Sequence, residues 1–167
     1  MIKILNTLFV TMFGLGRIKK IPGTFSSLVT IIILYVCFHI LDLSSNIILI
    51  GVVIIFIFSF SAIASYIKDN ENKDPKEVVI DEFIGQSIPI YLYEISHGIK
   101  KSPEEAIIFY GICFLLFRFF DIIKPFPVSY FDKKFKNSFG VIMDDIVAGL
   151  YVVLTLIIFM VIKSKFF

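Results

Sequence analysis

The chain is predicted to fold as an all-α integral membrane helical bundle, and three observations predict it. Of its 167 residues, 57% are hydrophobic and 20 are Phe, and the mean hydropathy of +0.91 lies far from that of soluble domains. Apolar runs long enough to cross lipid recur along it, a crossing helix needing about 20 mostly apolar residues. Five carboxylates then sit at the ends of these runs in three compact clusters: Asp81 with Glu82, Asp121, and Asp144 with Asp145. A charge beside hydrocarbon needs a partner, an ion or a water-filled cavity.

The elements follow in order. From Ile4 to Phe13, Ile4, Leu5, Leu8, Phe9, Met12 and Phe13 recur at helical spacing between Lys3, Asn6, Thr7 and Thr11. That is an amphipathic helix, lying on the membrane or against the bundle. A cleavable signal peptide fits poorly, because Arg17, Lys19 and Lys20 follow the run and no small-x-small site appears. Phe25 to Leu43 and Ile47 to Ile67 are two spans joined by a turn at Ser44, Ser45 and Asn46. Phe83 to Ile95 is shorter and carries Pro89 and Glu94, which reads as a short or broken helix inside the bundle, crossing or not. Ala106 to Ile123 is a third long span, stopped by Pro125 and Pro127, and Ile146 to Ile162 is the fourth. The length suits one domain, residues 1–167.

Arg17, Lys19 and Lys20 place the N-terminus on the cytoplasmic side by the positive-inside rule. If Phe83 to Ile95 crosses, every acidic cluster falls at a cytoplasmic helix end, as does the segment from Gly14 to Thr24. Lys100, Lys101, Lys163 and Lys165 then lie outside, against the rule.

Composition and pattern exclude several functions. A net charge of +2 with no basic stretch interleaved for base stacking gives no nucleic-acid partner. Cys37 and Cys113 sit mid-way along apolar runs and read as buried thiols rather than a disulfide framework. Cys113 and Arg118 have four residues between them, not the five of a cysteine-phosphatase loop, and no Asp-x-Asp occurs. His39 and His97 are too few for a histidine-nucleophile membrane phosphatase and read as structural.

The remaining polar residues converge on phosphate and metal chemistry. Asp81 and Gly85 are four apart, as are Asp145 and Gly149, and Asp144 and Ala148. On a helix each pair shares a face, and a small residue one turn below a carboxylate lets a neighbouring helix approach closely. Two such helices bring their acids within reach of one ion, and Mg²⁺ takes hard oxygen ligands plus substrate phosphate. N-capping explains one acid per cluster, not two adjacent acids twice. Arg118, Asp121 and Lys124, three apart, line one stripe, either as a salt-bridge ladder or with Asp121 on the metal and the cations on phosphate. Thr24 is expected to cap the first span, where exposed N–H groups attract phosphate.

Taken in order, the stretches GLGRIKKIPGTFSSL, DPKEVVIDEFIGQ and FRFFDIIKPFPVSYFDKKFKNSFGVIMDDIVAGLY resemble the phosphatidylglycerophosphatase A family. The departures are modest: Ile21 stands for Ala, Ser26 for Gly, Phe126 for Trp, and Asn137-Ser138 for a Gly pair. The resemblance implies an all-helical, Mg²⁺-dependent lipid phosphatase of the bacterial cytoplasmic membrane, its site facing the cytoplasm. It would convert phosphatidylglycerophosphate and water to phosphatidylglycerol and phosphate, the last step in making that lipid. The expected roles are Asp81 and Asp144 as catalytic, Glu82, Asp121 and Asp145 as metal ligands, and Arg17, Thr24, Arg118 and Lys124 as phosphate-binding. Tyr130 to Phe139 is expected to hold the enzyme against anionic lipid. The nucleophile stays open between water and a carboxylate such as Asp81. The rival reading is a cation transporter or ion-binding membrane protein, which places acids near the middle of spans. Oligomeric state is not legible.

Overall fold

The computed structural model describes residues 2–68, 72, 74–96 and 102–166; Lys100, Lys101 and His97 lie outside them. Every regular element among the described residues is helical: α1 (Ile2–Val10), α2 (Pro22–Tyr35), α3 (Ser45–Ile67), α4 (Ile80–Ser96), α5 (Pro103–Ile123), α6 (Val128–Lys134) and α7 (Ser138–Phe166). A 3-10 turn at Leu15–Arg17 follows α1, and α2 runs on into a π turn at Val36–Ile40.

The amphipathic helix ends at Val10, three residues before its apolar pattern does. Met12, Phe13 and Gly14 all take positive φ, which reverses the chain and leaves Phe13 exposed. The helix packs on the bundle, with Asn6 Nδ2 donating to the Ala62 carbonyl of α3 at 3.0 Å. Gly16 in the following turn lies so close to the Glu77 carbonyl that a Cβ would overlap it.

Four helical stretches are long and apolar enough to cross a membrane: Pro22–Ile40, Ser45–Ile67, Pro103–Ile123 and Ser138–Lys165. Their outward faces carry exposed Ile54, Ile57 and Phe58 on α3, Ile108 and Leu115 on α5, and Phe159 on α7. That is the surface lipid covers rather than water, and it makes this a membrane protein.

Helix α4 sits in the middle of these. It is continuous through Pro89 and buries nine residues, from Ile80 to Ile90. Its 17 residues extend about 25 Å. At one end Glu82 meets Arg118 of α5; at the other Glu94 accepts from Tyr110 at 2.9 Å and pairs with His39 at 3.1 Å. Helices α2, α4 and α7 therefore run one way, with α3 and α5 returning. Apolar packing divides along this axis. Val10, Ile63, Ile67, Val79, Phe83 and Ile142 form one cluster towards the Glu82 end. Leu34, Ile90, Tyr110, Cys113, Phe117 and Val152 form the other.

Several boundaries differ from the sequence reading. Ser45 begins α3 instead of turning, so the connection is Leu41–Ser44, with Asp42 at positive φ. Ile21 occupies the position before α2 and Pro22 is its first residue, so Thr24 lies inside the first turn and does not cap it. Ser102 and Glu105 form a reciprocal capping box that starts α5 at Pro103, upstream of Ala106. The last helix begins at Ser138, with Asn137 Oδ1 accepting from the Gly140 N–H at 3.1 Å. Asp144 and Asp145 consequently stand well inside a helix rather than at its tip. Cys113 is buried, Cys37 only partly so, and both are free thiols.

Candidate active site

Small residues set how closely the acidic helices approach. A Cβ on Gly85 would meet the Asp145 carbonyl oxygen at 2.5 Å and the Phe117 ring at 2.8 Å. One turn further along, Gly149 lies against the Gly85 carbonyl so tightly that a Cβ would overlap it. That carbonyl is the one Pro89 cannot serve, since residue i+4 here has no N–H, so the gap in the ladder faces a glycine. The same device works on α2, where a Cβ on Gly23 would overlap the Glu82 carboxylate.

The result is a cluster of Asp81, Glu82 and Asp145, each offering one carboxylate oxygen, all within 4.8 Å of one another. Asp81 is 7% and Asp145 3% exposed. Asp81 Oδ1 and Glu82 Oε2 are buried without a hydrogen-bond partner. Buried acceptors of this kind cost free energy unless something binds them, and three hard oxygens around a shared point are what a divalent cation requires. The donor set suits a hard divalent cation.

The other two acids already have partners. Asp121 receives Arg118 Nη1 at 2.8 Å, one helical turn away. Arg118 Nη1 also reaches Ser27 Oγ at 3.4 Å and Glu82 Oε1 at 4.0 Å, while its Nε is buried without a partner. Asp144 Oδ2 is held by Lys124 Nζ at 2.7 Å, and Lys124 also donates to Asp132 of α6 at 2.9 Å. Lys124 takes a left-handed conformation as the C-cap of α5, which turns its side chain off the Arg118 stripe and across to α7. Burial alone would lower the pKa of its ammonium; the charges and hydrogen bonds of Asp144 and Asp132 overcome this and hold it above the ordinary lysine value. The expected ladder is thus half intrahelical and half tertiary.

A cavity of about 370 Å³ joins these groups, lined by Asp81, Glu82, Asp121, Asp144, Asp145, Arg118, Lys124 and Thr24. The structure brings together eight of the nine residues singled out in the sequence. Arg17 is the exception: it is exposed on the 3-10 turn and does not line the cavity. Lys19, Asp74 and Lys76 do, unanticipated. Lys19 belongs to the same basic loop as Arg17, and Asp74 and Lys76 open the DPKEVVIDEFIGQ stretch, so the signal was present as position next to the acids. Gln86, one turn after Glu82, was also missed; it is fully buried with neither amide atom bonded.

Fold and cavity define a helical membrane protein with an acidic, cation-edged site at one end of its bundle. Comparison with known proteins narrows that class. The family model for Phosphatidylglycerophosphatase A matches residues 8–160, and the chain belongs to that family. It is 34% identical over 142 residues to the Phosphatidylglycerophosphatase A of Haemophilus influenzae, covering 85% of this chain and 80% of that protein. The Escherichia coli protein of the same name is 31% identical over 139 residues, 82% of this chain and 73% of that one. A Bacteroides thetaiotaomicron protein, provisionally named a phosphatidylinositol-3-phosphatase, is 32% identical over 150 residues and 88% of each chain. No solved structure matches.

Proposed function

We propose that the protein is an Mg²⁺-dependent lipid phosphatase that hydrolyses phosphatidylglycerophosphate to phosphatidylglycerol and phosphate, the last step in forming that lipid. The observation that carries this reading is the close grouping of Asp81, Glu82 and Asp145 beside two carboxylate-anchored cations, in a family whose named relatives act on phosphorylated lipids. Water adds to phosphorus, the bond to the glycerol oxygen breaks, and that oxygen leaves as an alcohol after taking up a proton.

Asp81, Glu82 and Asp145 would hold the cation, which supplies charge neutralisation to the phosphate and activates water near neutral pH. This moves Asp81 from the catalytic to the metal-binding group, and Asp121 and Asp144 to positioning roles. Asp121 fixes the Arg118 guanidinium, whose remaining N–H groups point a planar fork at phosphate oxygens. Asp144 and Asp132 take two of the three Lys124 donors and leave the third for substrate. Thr24 offers a hydroxyl at the cavity wall. Arg17, outside the lining, would act only on approach of the anionic lipid.

The geometry suits a lipid substrate, and the basic loop of Arg17, Lys19 and Lys20 supports placing this end of the bundle on the cytoplasmic side. Acyl chains stay along the apolar flanks while the phosphate enters the polar end. A cation-transport reading predicts acids along the middle of the spans, whereas these collect at one end of the bundle. The Bacteroides relative favours a second substrate of the same class, a phosphoinositide monoester.

The test is phosphate release by the purified protein in detergent from phosphatidylglycerophosphate, with and without Mg²⁺. Release that requires the metal and disappears in Asp81→Asn and Asp145→Asn supports the reading; undiminished release from both variants refutes the site.

A further inference from the structure

The cavity holds more cationic groups than the reaction centre consumes. Arg118 is committed to Asp121, and Lys124 to Asp144 and Asp132. Lys19 and Lys76 also line the cavity, both exposed, on the loops that lead into α2 and α4. Neither makes an ion pair with a carboxylate among the described residues, although Asp74 lines the same cavity. An unpaired ammonium needs no desolvated partner to be displaced before it meets an incoming anion, so these two are the cations available at the rim.

The cavity volume makes the same point. About 370 Å³ is many times the roughly 30 Å³ share of one water and falls within the range of small-molecule sites, about 300–1,000 Å³. A cation and one phosphate group leave part of it unfilled. The lipid proposed above carries a second phosphate, the diester that joins its glycerol head to diacylglycerol.

We propose that Lys19 and Lys76 form a second phosphate subsite that binds this phosphodiester while the terminal monoester lies among Asp81, Glu82, Arg118 and Lys124. The subsite rests on the phosphatase reading and adds selectivity to it. The enzyme reads two phosphates separated by a polyol and disfavours lipids with a single phosphate. Ammonium groups suit this task, because a diester offers only two unesterified oxygens and one charge, which compact, mobile donors meet without bidentate geometry.

The experiment compares the full-length protein with Lys19→Ala/Lys76→Ala in neutral detergent micelles at fixed lipid mole fraction, on phosphatidylglycerophosphate and on phosphatidic acid. The expected result is a KM for phosphatidylglycerophosphate that rises about 10-fold or more beyond any rise for phosphatidic acid, the loss of a charged hydrogen bond being of that order. kcat for phosphatidylglycerophosphate should hold, and Lys19→Arg/Lys76→Arg should restore most of the KM. Equal losses on both lipids would mean that the charges only attract anionic surfaces, and would overturn the subsite, as would an unchanged KM or a fall confined to kcat. Unfolding in the same detergent reports folding of the variant, and both lysines are exposed. A wild-type protein that hydrolyses neither lipid defeats the phosphatase reading and the subsite together. One that hydrolyses both without preference defeats the subsite alone.

Discussion

Gly149 of α7 rests against the carbonyl oxygen of Gly85 on α4, with no room for a Cβ between them. The contact lies one turn below Asp81 and Asp145, so it sets the separation of the two helices that carry the acidic cluster. Gly149→Ala should force the helices apart and cost about 1–3 kcal/mol, the usual range for overpacking a tight contact. Gly111→Ala on α5 is the control, since nothing lies within 4 Å of its added Cβ. There the better helix propensity of Ala should leave stability unchanged or raise it by up to about 1 kcal/mol. Thermal unfolding in detergent measures both, and equal behaviour of the two variants would contradict the packing account.

On the proposed reading, removing the cation should destabilise as well as inactivate. A chelator is expected to lower the unfolding temperature and Mg²⁺ to restore it, because a ligand held only by the native state stabilises by about 2.7 kcal/mol at 100 times its Kd. In Asp145→Asn the Mg²⁺-dependent shift should vanish. A shift of wild-type size in that variant would exclude Asp145 as a ligand.

Asp121 and Asp81 should separate in severity. Asp81→Asn replaces one carboxylate oxygen of the proposed metal group by an amide nitrogen and is expected to reduce phosphate release by more than about 100-fold. Asp121→Asn loosens only the residue that orients Arg118, and outer partners of this kind typically cost about 10- to 100-fold. Steady-state release at saturating Mg²⁺ distinguishes them, and the reverse order would return Asp121 to the metal.

The Lys124 pairs give a cross-check on the second half of the site. Lys124→Met leaves Asp144, 6% exposed, without its cation, so it should destabilise more than Lys124→Met/Asp144→Leu, which removes both charges. Because the folded-state pKa of Lys124 is raised, its contribution is fully present below the unfolded lysine value of about 10.4. It is lost only as the pH climbs through the higher folded value. The wild-type advantage over the Met variant in denaturant unfolding should therefore shrink under strongly alkaline conditions, as the ammonium loses its proton.

His39 tests the opposite end of the bundle. It pairs with Glu94 beside Tyr110, at the far end of α4 from the acids. His39→Phe should lower the unfolding temperature with unchanged phosphate release per folded molecule. A specific loss of turnover would show that this polar cluster communicates with the site.

Much of this arrangement was legible in the residues. The four long helices follow from hydropathy, and the acid-to-glycine spacing of four on α4 and α7 foretold their close packing. The Arg118–Asp121 pair follows from a spacing of three. Other features were written locally and passed over: Ser102-Pro103-x-Glu105 is a capping box, and Asn137 opens α7 although the acids break its hydropathy. The partners of Lys124 were out of reach, because they depend on a left-handed residue at the end of α5 and on the short α6 packing against α7. Division of the acids into three that gather and two that pair is likewise a tertiary outcome, since all five look alike in sequence.

The common direction of α2 and α4 carries a consequence of its own. Both present their amino ends to the cavity, with Gly23 and Thr24 in the first turn of one and Asp81 and Glu82 in the first turn of the other. Each such end bears a partial positive charge of about half a unit from its aligned peptide dipoles. Before any ion arrives, then, the backbone itself offsets part of the repulsion among the carboxylates. The acidic pocket can assemble during folding and accept its cation afterwards.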